Sequence, residues 1–221
     1  MFSVLRSRVT RLIQYEIPLY SRYRRVMRQV NTEAGFFVEA GANDGLTQSI
    51  TPYLQKRGWK GLLIEPIPDL AEACRKNRPG AFVEQCALVS PDFETETVAM
   101  TYANLMSVVA GAMKSPQADA EHIRLGEEVQ SLKSYSLTVP ARTLDSVLDQ
   151  YQIARVDLLI LDVEGYELSA LQGLDYDRLA PRFILCEARF REEVDALLLS
   201  RYEAIDEIGD YDVLYRLRGQ S

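Results

Sequence analysis

The sequence is poor in the residues that mark several large protein classes. Among 221 residues there are three cysteines, one histidine and one tryptophan. Cys74, Cys86 and Cys186 are an odd number with no close pair. That argues against a disulfide framework and against a cysteine-rich zinc site, and it makes a reducing, cytoplasmic setting the expectation. No apolar run approaches the roughly 18 residues that a spanning helix needs. Near the start, Arg6, Arg8 and Arg11 interrupt each apolar stretch before a signal-peptide core can form. There is no internal repeat and no low-complexity tract. The pyrophosphate-cradling G-x-G-x-x-G is also missing.

The composition, 47% hydrophobic and 26% charged, suits one globular domain with a substantial core. The net charge is −7, and it is unevenly spread. Residues 1–30 carry seven arginines against one acid, Glu16, so the rest of the chain is strongly acidic. Phosphate neutralisation needs a basic surface, so no nucleic-acid partner is expected. Within 1–34, Phe2, Leu5, Val9, Leu12, Ile13 and Ile17 fall on one helical face, and Pro18 breaks or restarts that helix. Two readings follow for this basic segment. It caps its own domain or makes a dimer contact, or it rests as a peripheral helix on an anionic membrane or partner.

From residue 35 to 221, short apolar runs alternate with helical stretches, the pattern of an α/β domain with a mostly parallel sheet. Strands are expected at about 35–40, 61–65, 82–89, 156–162 and 182–187. Helices are expected near 46–57, 69–77, 143–151, 166–173 and 191–200. The last run, EAIDEIGDYDVLYRLR, reads as an antiparallel hairpin about Gly209-Asp210. Residues 90–142 are too long for a simple crossover and read as an insertion forming a lid or substrate wall.

Three clusters carry chemistry. In Glu39-Ala40-Gly41-Ala42-Asn43-Asp44-Gly45 a strand runs into a glycine turn whose acids suit a ligand with a cationic centre and repel a pyrophosphate. Glu65, followed by Pro66, ends the second strand, where a carboxylate can accept both hydroxyls of a ribose. The bland alternatives are a plain strand-to-helix turn and a solvated strand end. In the third cluster a strongly apolar strand delivers Asp162, Glu164 and Glu167 at its carboxyl end, with Glu187 ending the neighbouring strand. Glu187 with Asp162 is the candidate proton acceptor, unless Glu187 merely pairs with Arg189 or Arg191. Their oxygens are also hard enough for Mg²⁺, which the sequence leaves undecided. His122, the one histidine, is the conventional base, but its polar helix suggests a solvated surface position.

GANDG after an apolar strand, IEP at the second, VPARTLDSVL and DLLILDVEGYE resemble, in that order, the motifs of the FkbM family of methyltransferases over about residues 36–215. The resemblance implies a class I, Rossmann-like, seven-stranded methyltransferase fold with S-adenosylmethionine as methyl donor. It further implies O-methylation of a sugar or another small hydroxylated acceptor. By the same token Gly41, Asn43 and Gly45 would hold the methionine part, Glu65 the ribose, and Cys86-Ala87 would border adenine. Glu39 departs from the Asp that many members carry there. The competing classes are an NAD-dependent oxidoreductase, which would share a ribose-binding Glu65, and a non-catalytic cofactor-binding module docking through its N-terminal helix.

Overall fold

The structure is a computed structural model that describes residues 17–219. The chain enters it through helix α1 (Ile17–Val30), with Pro18 in the first described turn. The apolar face proposed for Phe2 to Ile13 lies outside the described residues. A parallel run follows: β1 (Phe36–Ala40), α2 (Thr51–Lys56), β2 (Lys60–Ile64), α3 (Pro68–Asn77) and β3 (Phe82–Glu84). β4 (Ala87–Leu88) leads into the insertion, which holds β5 (Thr97–Tyr102), a 3₁₀ turn at Asn104–Met106, β6 (Val108–Val109), α4 (Pro116–Gln130) and β7 (Tyr135–Arg142). The chain then returns through α5 (Leu144–Gln150), β8 (Leu158–Leu161), α6 (Glu167–Gln172), β9 (Phe183–Glu187), α7 (Arg191–Leu198), β10 (Tyr202–Glu207) and β11 (Asp212–Leu217).

Seven of these strands form one sheet in the order β10-β11-β9-β8-β1-β2-β3. β11 lies antiparallel between β9 and β10, which is the expected closing hairpin. The other pairings in this sheet are parallel. Because side chains alternate along a strand, β1 sends Val38 and Ala40 to one core and Phe37 to another. The first core takes the buried faces of α5, α6 and α7. The second takes Tyr23, Val26, Met27 and Val30 of α1, spaced three and four apart. Each such burial contributes roughly 1.5–3 kcal/mol. The three cysteines are buried and free.

The expected strand at 82–89 is in fact two. β3 pairs with β2 in the main sheet, whereas β4 pairs with β7 in a second, four-stranded sheet ordered β4-β7-β5-β6. The break falls at Gln85-Cys86, because Ala87 finds its burial in the insertion's own core with Val98, Met100 and Val139. One apolar run thus serves two sheets. Strand order reverses at β1, where β2 lies on one side and β8 on the other. Open α/β sheets bind ligands just beyond such a point.

Candidate active site

A cavity of about 350 Å³ opens at the carboxyl ends of β1, β2 and β8. Its lining includes Glu39, Gly41, Asn43, Glu65, Pro66, Cys86, Ala87, Asp162 and Glu164. Gly41 has φ +80°, and a Cβ on it would sit 1.7 Å from the Asp162 carbonyl oxygen. The glycine is therefore required first by the close passage of β1's end against the loop after β8, and only then by any ligand. Gly45, at φ +79°, answers to packing as well, since its Cβ would meet Arg78 at 2.8 Å. Gly45, Ala42 and Asp44 do not line the cavity. Ala42 is core, and the Asp44 carboxylate accepts the Leu46 and Thr47 N–H groups.

The acids of this half are fixed by near neighbours. Glu39 Oε2 accepts from the Thr51 hydroxyl at 2.6 Å. Burial raises the proton affinity of Glu39, while the Ser49 and Thr51 hydroxyls and the charges of Arg78 and Arg22 oppose the rise. Glu65 accepts the Asn43 N–H on Oε2 at 2.8 Å and the Ile67 N–H on Oε1 at 3.0 Å. Burial pushes its carboxyl up to about 7, with the two N–H groups holding it back. A carboxylate oxygen has room for a second donor, so Glu65 can still receive a diol.

The second half of the site is built over longer range. Asp162, Glu164 and Glu187 each bring a ligand atom to within 4.8 Å of the others. Arg189 Nη2 donates to Glu164 Oε2 at 2.9 Å and to Glu187 Oε1 at 3.2 Å, so the pairing weighed as the bland alternative for Glu187 is present. Burial, then the charges of Asp162 and Glu164, push the Glu187 carboxyl up to about 9 against the pull of Arg189. Its Oε2 is enclosed with no hydrogen-bond partner; a proton on this pair gives that oxygen an acceptor in Asp162. Glu164 and Gly165 both have positive φ, and Glu167 Oε1 accepts the N–H groups of Val163 and Gly165 to hold that turn. Glu167 thereby opens α6 and is not on the cavity lining.

His122 requires a correction. It is buried at 8% exposure, with Nε2 3.2 Å from Glu164 Oε2 but without a hydrogen bond. The solvated reading fails because α4 packs against the 3₁₀ turn of the insertion, with Gly126 close to Met106 and Ala103. His122 and Glu187 stand behind the cavity wall rather than on it. Sequence reasoning missed Arg22, and it met Arg189 only as a partner for Glu187. It also left the insertion's wall unnamed: Met100, Asn104 to Ser107 and Val109. The stripe of Tyr23, Val26 and Val30 was the available sign that α1 packs and carries Arg22 inward.

The sheet order and the cavity at its switch point define a Rossmann-like α/β domain with a ligand site at its carboxyl edge. The chain belongs to the FkbM methyltransferase family, whose domain model matches residues 39–212, and it is an S-adenosylmethionine-dependent methyltransferase. Two solved structures are similar at low identity. One is a TehB-like SAM-dependent methyltransferase from Corynebacterium glutamicum, at 11% identity and TM-score 0.44, covering 89% of this chain and 88% of that one. The other is a putative S-adenosyl-L-methionine-dependent methyltransferase from Methanococcus maripaludis, at 10% identity and TM-score 0.46, covering 92% and 86%. No match is found among curated proteins. Among the described residues no helix is long and apolar enough to cross a membrane.

Proposed function

We propose that the protein methylates a hydroxyl on a small hydroxylated acceptor such as a saccharide. The observation that carries this reading is the Asp162–Glu187 pair, a proton-holding couple at the carboxyl edge beside the cavity. The cavity fits the methyl donor: Glu65, with each oxygen holding one backbone N–H, has lone pairs left for a diol, Cys86, Ala87 and Leu88 offer an apolar border, and Glu39 and Asp162 suit a cationic centre. S-adenosylmethionine, when bound, supplies the methyl group on a positively charged sulfur. The residues of this chain do the rest. Asn104 to Ser107 and Val109 form part of the cavity wall from the insertion. Asn43 Nδ2 donates to Asn104 Oδ1 at 3.1 Å and ties that wall to the glycine turn. The Asp162–Glu187 pair takes the acceptor's hydroxyl proton.

A proton suits this acid cluster better than Mg²⁺. Arg189 already supplies a cation to Glu164 and Glu187, and protonation leaves Glu187 Oε2 with a partner. Methyl transfer from labelled S-adenosylmethionine to fractionated small hydroxylated compounds tests the proposal. Label on an acceptor oxygen, unaffected by EDTA, is the expected result. Label on nitrogen or carbon, or a strict metal requirement, overturns it.

A further inference from the structure

The cavity has two cations on its lining, Arg22 and Arg189. Arg189 is held between two acids, Glu164 and Glu187, although its Nε is enclosed without a partner as well. Arg22 has one acid. It projects from α1, and Nη2 donates to Asp212 Oδ1 at 2.7 Å. Among the described residues that is its single hydrogen bond. Its Nε is enclosed with no partner. A guanidinium carries five N–H donors in a planar fork, so most of its capacity is unused. Its charge is felt by Glu39, which also lines the cavity.

S-adenosylmethionine carries a carboxylate at its amino-acid end, yet the acids around this cavity, Glu39, Asp162 and Glu164, all repel one. A buried anion needs a paired cation. We infer that Arg22 binds the α-carboxylate of the methionine part, so that α1 supplies a wall of the cofactor site. This rests on the reading that the cavity holds S-adenosylmethionine or its product. The consequence is that α1, which the family match at 39–212 leaves out, belongs to the site, held by its apolar stripe and by Arg22 and Arg25 on the terminal hairpin.

The test compares two ligands that differ in that one group: S-adenosylhomocysteine, and S-adenosyl-3-thiopropylamine, which lacks the carboxylate. Calorimetry on the full chain should show Arg22→Gln weakening the first by on the order of 10- to 100-fold and the second by less than about threefold. Arg22→Lys should recover part of the loss. Equal weakening of both ligands would mean that Arg22 only positions α1, and no weakening would mean that the carboxylate lies elsewhere; either overturns the inference. Should the variants not fold, the parent protein decides: S-adenosylhomocysteine protects Arg22 from phenylglyoxal and the analogue does not. Equal protection by both overturns the inference. If the parent binds neither ligand, the cofactor assignment itself fails.

Discussion

The two halves of the site are satisfied in opposite ways. Around Glu39 and Glu65, the carboxylate oxygens take hydrogen bonds from a hydroxyl and backbone N–H groups within a short stretch of chain. Around Glu187, the partners come from α4, the loop after β8 and the loop after β9, and three enclosed polar atoms, Glu187 Oε2, His122 Nε2 and Arg189 Nε, have no hydrogen bond. The carboxylates of the first half are paired before anything binds, and the unpartnered atoms near them belong to arginines, Arg22 Nε and Arg78 Nη2. The second keeps polar capacity in reserve, as a group that must gain and lose a proton requires.

Substitutions can break this contrast in order of expected severity. Gly41→Val should disrupt the fold, by more than about 4 kcal/mol, since its Cβ would enter the Asp162 carbonyl at a positive φ. Urea denaturation measures this, and parental stability would remove the backbone argument. Glu187→Gln keeps shape and removes the titration. Methyl transfer should fall on the order of a hundredfold or more with cofactor affinity nearly unchanged. In the parent, kcat/KM should climb with pH toward about 9 as Glu187 releases its proton, and the variant should lose that climb. A parental rate in Glu187→Gln would move the base elsewhere.

Glu167→Gln probes a purely structural acid. Burial raises its carboxyl to about 7, against the Val163 and Gly165 N–H groups and aided by Asp162. A raised folded value means that its contribution is present below about 4.5 and lost as pH rises through about 7. The amide can still accept both N–H groups. The variant should therefore gain on the parent between those limits, by on the order of 1–3 kcal/mol at pH 8. Melting curves at pH 5 and pH 8 check this, and a pH-independent difference counts against it. The smallest effect is expected for His122→Ala, with transfer lowered less than about tenfold and cofactor binding kept. A dead His122→Ala enzyme would make the histidine the base.

The local half was the legible half. The glycine turn, Glu65 and the terminal hairpin could be placed because each depends on strand period, turn chemistry or a strand end, all of which short stretches encode. What escaped depends on which surfaces meet. Phe82 to Val89 reads as one apolar run, and nothing in it says that Ala87 belongs to a second sheet. His122 lies in a polar stretch, and its burial beside Glu164 follows from how the insertion folds back. Arg22 was one of seven arginines in a basic segment, and only the packing of α1 singles it out. The strand β8 announced that Asp162 and Glu164 sit at the ligand edge, and Arg189 was one of two partners offered for Glu187, while its second bond, to Glu164, depends on the turn after β9.

The ion pairs from α1 to the terminal hairpin also bear on the order in which the protein is made. Arg22 and Asp212 are 190 residues apart in sequence, and Arg25 and Asp206 are 181 apart. During synthesis the helix leaves the ribosome early and waits for nearly the whole chain before its partners emerge. Closing so long a loop is slow. Until β11 is in place, the cavity lacks the contact that fixes one of its walls. A chain cut short before Asp212 also loses Val213 and Tyr215 from one core and Leu214 from the other, so the last strand completes the fold and the wall of the cavity together.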